Sequence, residues 1–138
     1  MAKIPNHDIE RLINRAIAVR DQAYAPHSHF YVGAALLTHD GEIIEGCNVE
    51  NVSYGLSICA ERVAASTAVA SGFRSWDAIA VASVGGVTPC GACRQFLAEF
   101  GTAVTVVLVD VLDGSRRSVK LGDLLPDAFD GSTLPGHT

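Results

Sequence analysis

The chain has 138 residues, 49% of them hydrophobic and 18% charged, which suits one domain with an ordinary core. Its formal net charge is -5 and its longest basic cluster is Arg116-Arg117 with Lys120 nearby, so it lacks an electrostatic grip on a nucleic-acid backbone. The N-terminus has no apolar signal core and no apolar run is long enough to span a bilayer, which sets a cytoplasmic, reducing location as the expectation and makes the four cysteines ligands or buried thiols rather than disulfides.

Residues 8–24 read as a helix, capped by Asp8, with Ile9, Leu12, Ile13, Ala16 and Ile17 on one face and Pro26 just past the end. Residues 30–38 read as a strand, Gly41 as a turn, and residues 43–47 as the returning strand of a hairpin. Residues 48–57 are polar and irregular, a usual setting for ligand contacts. Residues 59–71 form an Ala-rich helix ended by Gly72. An apolar strand covers residues 78–83, and Gly85-Gly86 and Pro89 make the loop that follows. A second short helix spans 91–100 and a Val-rich buried strand spans 105–110. Residues 118–121 read as an edge strand and Leu124-Leu125-Pro126 as a closing helical turn. The domain is expected over residues 1–130, with 131–138 a tail that has little to bury. Helices alternating with apolar strands predict an α/β fold, a sheet covered by helices on both faces.

The chemistry concentrates in two motifs, Cys59-Ala60-Glu61 and Pro89-Cys90-Gly91-Ala92-Cys93. Their residues offer three soft thiolates and one carboxylate to a single point, a donor set that suits Zn²⁺. Three protein ligands leave a fourth position for water, the mark of a catalytic rather than a structural zinc. Both motifs sit where a loop enters a helix, and the free N–H groups and dipole there favour thiolates.

Each of these residues also has a plainer reading. A Cys-x-x-Cys redox pair leaves Cys59-Ala60-Glu61 and the proline before Cys90 unexplained. A closed structural zinc needs a fourth ligand, for which Cys47, His27 and His29 are the candidates; the open site is favoured, with Cys47 a small buried hydrophobe. Glu61 would otherwise be a solvated helix residue, but beside three thiolates it is placed to carry protons. Asn48 and Glu50 read as turn residues unless the strand continues, in which case alternation lets an amide and a carboxylate share one ligand. Arg62 reads as a surface cation or as a donor to a ligand sulfur. Phe30 looks like a core residue on periodicity, and Tyr54 is undecided.

These motifs are similar to those of the short, tetrameric class of cytidine deaminases. The resemblance runs from about Ala23 to Phe129 through Phe30-Tyr31-Val32-Gly33-Ala34-Ala35-Leu36, Gly46-Cys47-Asn48-Val49-Glu50-Asn51, Cys59-Ala60-Glu61-Arg62, Pro89-Cys90-Gly91-Ala92-Cys93-Arg94-Gln95 and Leu124-Leu125-Pro126-Asp127-Ala128-Phe129. It implies a three-layer α/β/α sandwich with a mixed five-stranded sheet. It implies one Zn²⁺ per subunit on Cys59, Cys90 and Cys93, and Glu61 as the proton shuttle for hydroxide attack at C4. It also implies Asn48 and Glu50 on the ribose hydroxyls, Phe30 against the pyrimidine and the Ala60 N–H on the base carbonyl. Arg62 matches the cation beside the ligand sulfurs, and Tyr54 and Phe129 match residues that approach a neighbouring subunit's pocket in a homotetramer. The implied activity is deamination of free cytidine and 2′-deoxycytidine in pyrimidine salvage. One departure is visible: Pro26-His27-Ser28 stands where relatives commonly have Pro-Tyr-Ser, which bears on contacts a tyrosine hydroxyl would make.

A cytosine-containing antibiotic nucleoside is a minor alternative substrate, since Asn48-Val49-Glu50-Asn51 suits an ordinary ribose. A polynucleotide substrate would require a basic groove that this acidic chain does not display. A zinc-stabilised module without catalysis is the reading from a different class, and it requires a fourth protein ligand on the metal.

Overall fold

The computed structural model describes residues 4–136. Five strands form one mixed sheet in the order β2-β1-β3-β4-β5: β1 Gly33–Thr38, β2 Ile43–Cys47, β3 Trp76–Ser83, β4 Thr105–Asp110 and β5 Arg116–Lys120. Only β3 and β4 run parallel. A parallel pair needs a crossover, and helix α3, Gly91–Ala98, supplies it. The other helices are α1 Asn6–Val19, α2 Ala60–Ala70 and α4 Leu121–Leu124.

Strand alternation divides the core in two. Ala34, Leu36, Ile79, Val81, Val106 and Leu108 face Ala60, Ala64, Ala65 and Ala68 of α2, Leu97 of α3 and Leu121 of α4. Ala35, Leu37, Ala78, Ala80, Ala82, Val107 and Val109 turn the other way, onto Leu12, Ile13 and Ala16 of α1. The expected three-layer α/β/α sandwich is therefore present. Small residues at 78, 80 and 82 let α1 lie close to the sheet, and full burial of Leu12 and Ile13 contributes about 1.5–3 kcal/mol each.

Two glycines fix how closely helices approach. A Cβ at Gly33 would stand 2.0 Å from the Ala16 carbonyl oxygen of α1. A Cβ at Gly46 would stand 2.3 Å from the Ala64 nitrogen and 2.7 Å from the Ala60 oxygen of α2. Gly46 thus seats the first turns of α2 directly on β2.

Several boundaries differ from expectation. Helix α1 starts at Asn6 after Pro5, with Asp8 in its first turn rather than at the cap, and it tightens into a 3₁₀ turn at Arg20–Gln22. Strand β1 begins at Gly33, because ahead of it the Val32 N–H and the Phe30 carbonyl bond to the Asn48 side chain, which interrupts the backbone ladder. Strand β5 starts two residues early, at Arg116, and stops at Lys120. The expected turn at 124–126 is displaced to α4, and Leu125 already has an extended φ of -142°. In the 131–138 tail, Gly131–Thr133 form a 3₁₀ turn, while residues 137–138 lie outside the described residues, as do residues 1–3 of the expected 1–130 domain. No helix among the described residues is long and apolar enough to cross a membrane.

Candidate metal centre and active site

Cys59 is the N-cap residue of α2 and Cys90 the N-cap residue of α3, both with extended backbone, and Cys93 lies in the first turn of α3. The two helices pack on the same sheet face, so their N-termini bring the sulfurs together. The three Sγ atoms lie within 4.8 Å of one another. Cys59 and Cys90 are separated by 3.9 Å and Cys90 and Cys93 by 3.3 Å. Zn–S bonds of about 2.3 Å in a tetrahedron set sulfurs about 3.8 Å apart, so this donor set fits zinc in chemistry and in size.

Among the described residues, no other cysteine, histidine or carboxylate joins the cluster. Cys47 pairs across the sheet with Gly33, whose Cβ position faces α1. Cross-strand partners share a face, so Cys47 points away from the other cysteines, and burial raises its pKa. His27 and His29 also stand outside the cluster.

Glu61 sits in the first turn of α2 and is only 5% exposed. Burial pushes its carboxyl up to about 7, reinforced by the charge of Cys59 and opposed by a backbone N–H and by Arg62. Arg62 donates to Cys59 Sγ at 3.8 Å. Cys59 is drawn down to about 5, chiefly by the hydrogen bond from Cys93, with Arg62 and Cys90 adding to it. The neighbouring thiols and the Arg62 cation thus favour thiolate at Cys59, and a helix start acts in the same direction.

The segment before β1 is shaped by side chains from the stretch after β2. The chain turns at His29, whose φ of 58° is uncommon outside glycine, and this directs Phe30 outward, 39% exposed. Asn48 braces the segment from behind: its Oδ1 accepts the Val32 N–H at 2.9 Å and its Nδ2 donates to the Phe30 carbonyl at 2.8 Å. Glu50 holds the preceding turn by accepting the N–H groups of His27 at 2.9 Å and Ser28 at 3.1 Å, together with the Ser28 hydroxyl. The Ser28 hydroxyl leads in holding this carboxyl below its ordinary range, and the two N–H groups add to it. Asn48 and Glu50 therefore face the same segment, although β2 ends at Cys47 and the chain continues beyond it through isolated bridges at Val49.

His27, Ser28, Glu50, Tyr54 and Ser57 line a cavity of about 250 Å³. The His27 and Tyr54 rings stand 5.8 Å apart. Tyr54 is 75% and Phe129 65% exposed, and the Phe129 carbonyl accepts from Gln95 of α3 at 3.0 Å. Ala60 occupies the first helical position, where an N–H has no carbonyl of its own helix to meet.

Sequence reasoning did not identify Ser28 as the hydroxyl partner of Glu50 or Asn48 as the brace of residues 30–32. The available signal was the polar Pro26-His27-Ser28 turn ahead of an apolar strand. The partners lie about twenty residues apart, and no local periodicity links them.

A family model described as the cytidine and deoxycytidylate deaminase zinc-binding region matches residues 6–109. A cytidine deaminase of Sporosarcina psychrophila is 46% identical over 92% of this chain and 95% of its own length. A cytidine deaminase of Mycobacterium tuberculosis is 42% identical over 96% of this chain and 97% of its own. The crystal structure of cytidine deaminase from Burkholderia pseudomallei superposes with a TM-score of 0.84 at 50% identity, covering 91% of this chain and all of that one. With the cysteine cluster in place and the match extending over most of its length, the chain belongs to the zinc-binding cytidine and deoxycytidylate deaminase family.

Proposed function

We propose that the protein is a zinc-dependent hydrolase that converts free cytidine and 2′-deoxycytidine to uridine and 2′-deoxyuridine with release of ammonia, in pyrimidine salvage. The observation that carries this reading is a three-thiol cluster beside a buried carboxyl of raised pKa, on the first turns of two helices. The names of the relatives support the same substrate.

Cys59, Cys90 and Cys93 would hold the metal, one per chain. When bound, zinc supplies Lewis acidity that makes a water acidic near neutrality. Glu61 takes one proton from the attacking water and gives it to ring N3; it then takes the second from the hydroxyl added at C4 and delivers it to the amino group, so that the C4–N bond breaks, the C4 carbonyl forms and ammonia leaves. Burial raises the Glu61 carboxyl, which favours its holding and then returning the proton it takes. Arg62 offsets part of the thiolate charge.

The Ala60 N–H donates to the pyrimidine carbonyl, and Phe30 packs on the ring. Asn48 and Glu50 serve the ribose hydroxyls: Asn48 spends one of its two Nδ2 hydrogens on Phe30, and the Glu50 oxygens retain accepting capacity. Glu50 suits neutral hydroxyls and repels a 5′-phosphate at close range. Tyr54 and Phe129 reach towards the substrate pocket of a neighbouring subunit in a homotetramer. One domain over residues 1–130, working in the cytoplasm, completes the reading.

Turnover of cytidine, deoxycytidine and cytidine monophosphate by the purified zinc protein tests the proposal. The two nucleosides are expected to react well and the monophosphate poorly. A strong preference for the monophosphate, or no turnover of any of the three, would contradict it.

A further inference from the structure

Cys90 is the exposed member of the cysteine cluster, and the chain that delivers it, residues 86–90, has no regular secondary structure. Its entry is tied by the Val87 N–H donating to Ser83 Oγ at 3.2 Å. Its exit is tied by Arg94. The Arg94 Nε donates to the Pro89 carbonyl at 2.7 Å, one terminal nitrogen donates to Thr88 Oγ1 at 3.0 Å, and the other donates to the Leu124 carbonyl at 2.8 Å. All three guanidinium nitrogens are therefore spent on three different acceptors.

We propose that Arg94 is a positioning residue for the metal centre, locking the loop ahead of Cys90 against the end of α4 so that the cysteine is held in ligating geometry. The inference rests on the zinc reading above. Arg94 acts through the backbone. The Pro89 oxygen and the Cys90 nitrogen belong to one planar peptide unit, so fixing the carbonyl fixes where the Cys90 side chain leaves the chain. Pro89 has no N–H of its own with which to anchor the loop. At the far end, Leu124 closes a helix whose last carbonyls lack partners within it, and the guanidinium meets one of them. The next residue, Gln95, holds the Phe129 carbonyl at 3.0 Å, so consecutive side chains of α3 tether the end of α4 and the segment that follows it to the helix bearing Cys93. A lysine offers one nitrogen on a flexible stem and cannot reproduce a planar three-way fork.

The test compares the zinc-loaded parent with Arg94→Lys, Arg94→Gln and Thr88→Val, the last removing one acceptor while keeping the arginine. Zinc release to a chromogenic chelator, the absorption bands of the cobalt-substituted proteins, thermal melting and the split between kcat and KM are measured together. Release is expected to accelerate by about 10- to 100-fold in both Arg94 variants, with shifted cobalt bands and a fall in kcat, and to change less in Thr88→Val. Lysine is not expected to rescue. Parent-like release and cobalt spectra in Arg94→Lys and Thr88→Val would overturn the proposal, even if melting falls, because that pattern marks a purely structural residue. A parent chain that holds no stoichiometric zinc would overturn the zinc reading itself, and this inference with it.

Discussion

The two faces of the sheet are built with the same device and used differently. On one face α1 lies over alanines and touches the Gly33 backbone; on the other α2 lies over β2 and touches the Gly46 backbone. The α1 face carries apolar packing, and its helix ends on Pro5 and a 3₁₀ turn. The α2–α3 face carries two helix N-termini whose cap positions are cysteines, and a glutamate 5% exposed in the first turn. Helix starts hold unsatisfied N–H groups and positive dipole ends, so a face with two of them suits anionic ligands where a continuous helix flank does not. Close packing thus supplies stability on one side and a charge environment on the other.

The largest effect expected on this contrast comes from Glu61→Gln. The substitution keeps the size of the side chain and removes the titrating proton. Turnover should fall about 10²–10⁴-fold with metal content unchanged. Near-parental turnover with zinc bound would take proton transfer away from Glu61.

A sharper comparison sets Gly46→Ala against Gly33→Ala. Both new methyls meet backbone, at 2.3 Å and 2.0 Å, so both should lower stability by about 1–3 kcal/mol or more. Only Gly46→Ala moves the helix that carries Cys59 and Glu61. Its folded fraction should lose metal affinity and kcat, whereas folded Gly33→Ala should keep both. Equal losses per folded molecule in the two variants would break the distinction between the faces.

The smallest effect concerns Glu50. Its folded pKa is depressed by Ser28 and the adjacent N–H groups, so its contribution to stability is present above the unfolded carboxylate pKa and is lost as pH falls through the folded value. The melting difference between the parent and Glu50→Gln should be present at neutral pH and should close in acid. A difference that persists unchanged through the carboxylate range would show that the clamp does not depend on ionisation.

Much of this was readable from local patterns. Strand β4 was expected over 105–110 and is found there, because a run of valines ends at Asp110 and a turn follows. The cysteine cluster was readable because ligand spacing and helix starts are both local features. The start of β1 was not: Phe30 and Val32 look like strand residues, but their backbone groups are taken by Asn48, sixteen to eighteen residues away. The displaced α4 has the same cause, since Leu124 ends a helix where its carbonyl meets Arg94 thirty residues earlier. The roles of Gly33 and Gly46 depend on which helix lies above each strand, and that is a property of the folded layers. Cys47 lost its candidacy as a ligand for a comparable reason, because its direction follows from its pairing with Gly33.

The central claim is that three thiolates hold one zinc with a fourth position left to water beside Glu61. X-ray absorption at the zinc edge of the purified protein, with metal content measured on the same sample, tests it most directly. One zinc per chain with three sulfur neighbours and one oxygen neighbour is the predicted result. A chain without stoichiometric zinc, or a zinc whose fourth neighbour is another residue of the polypeptide, would contradict it.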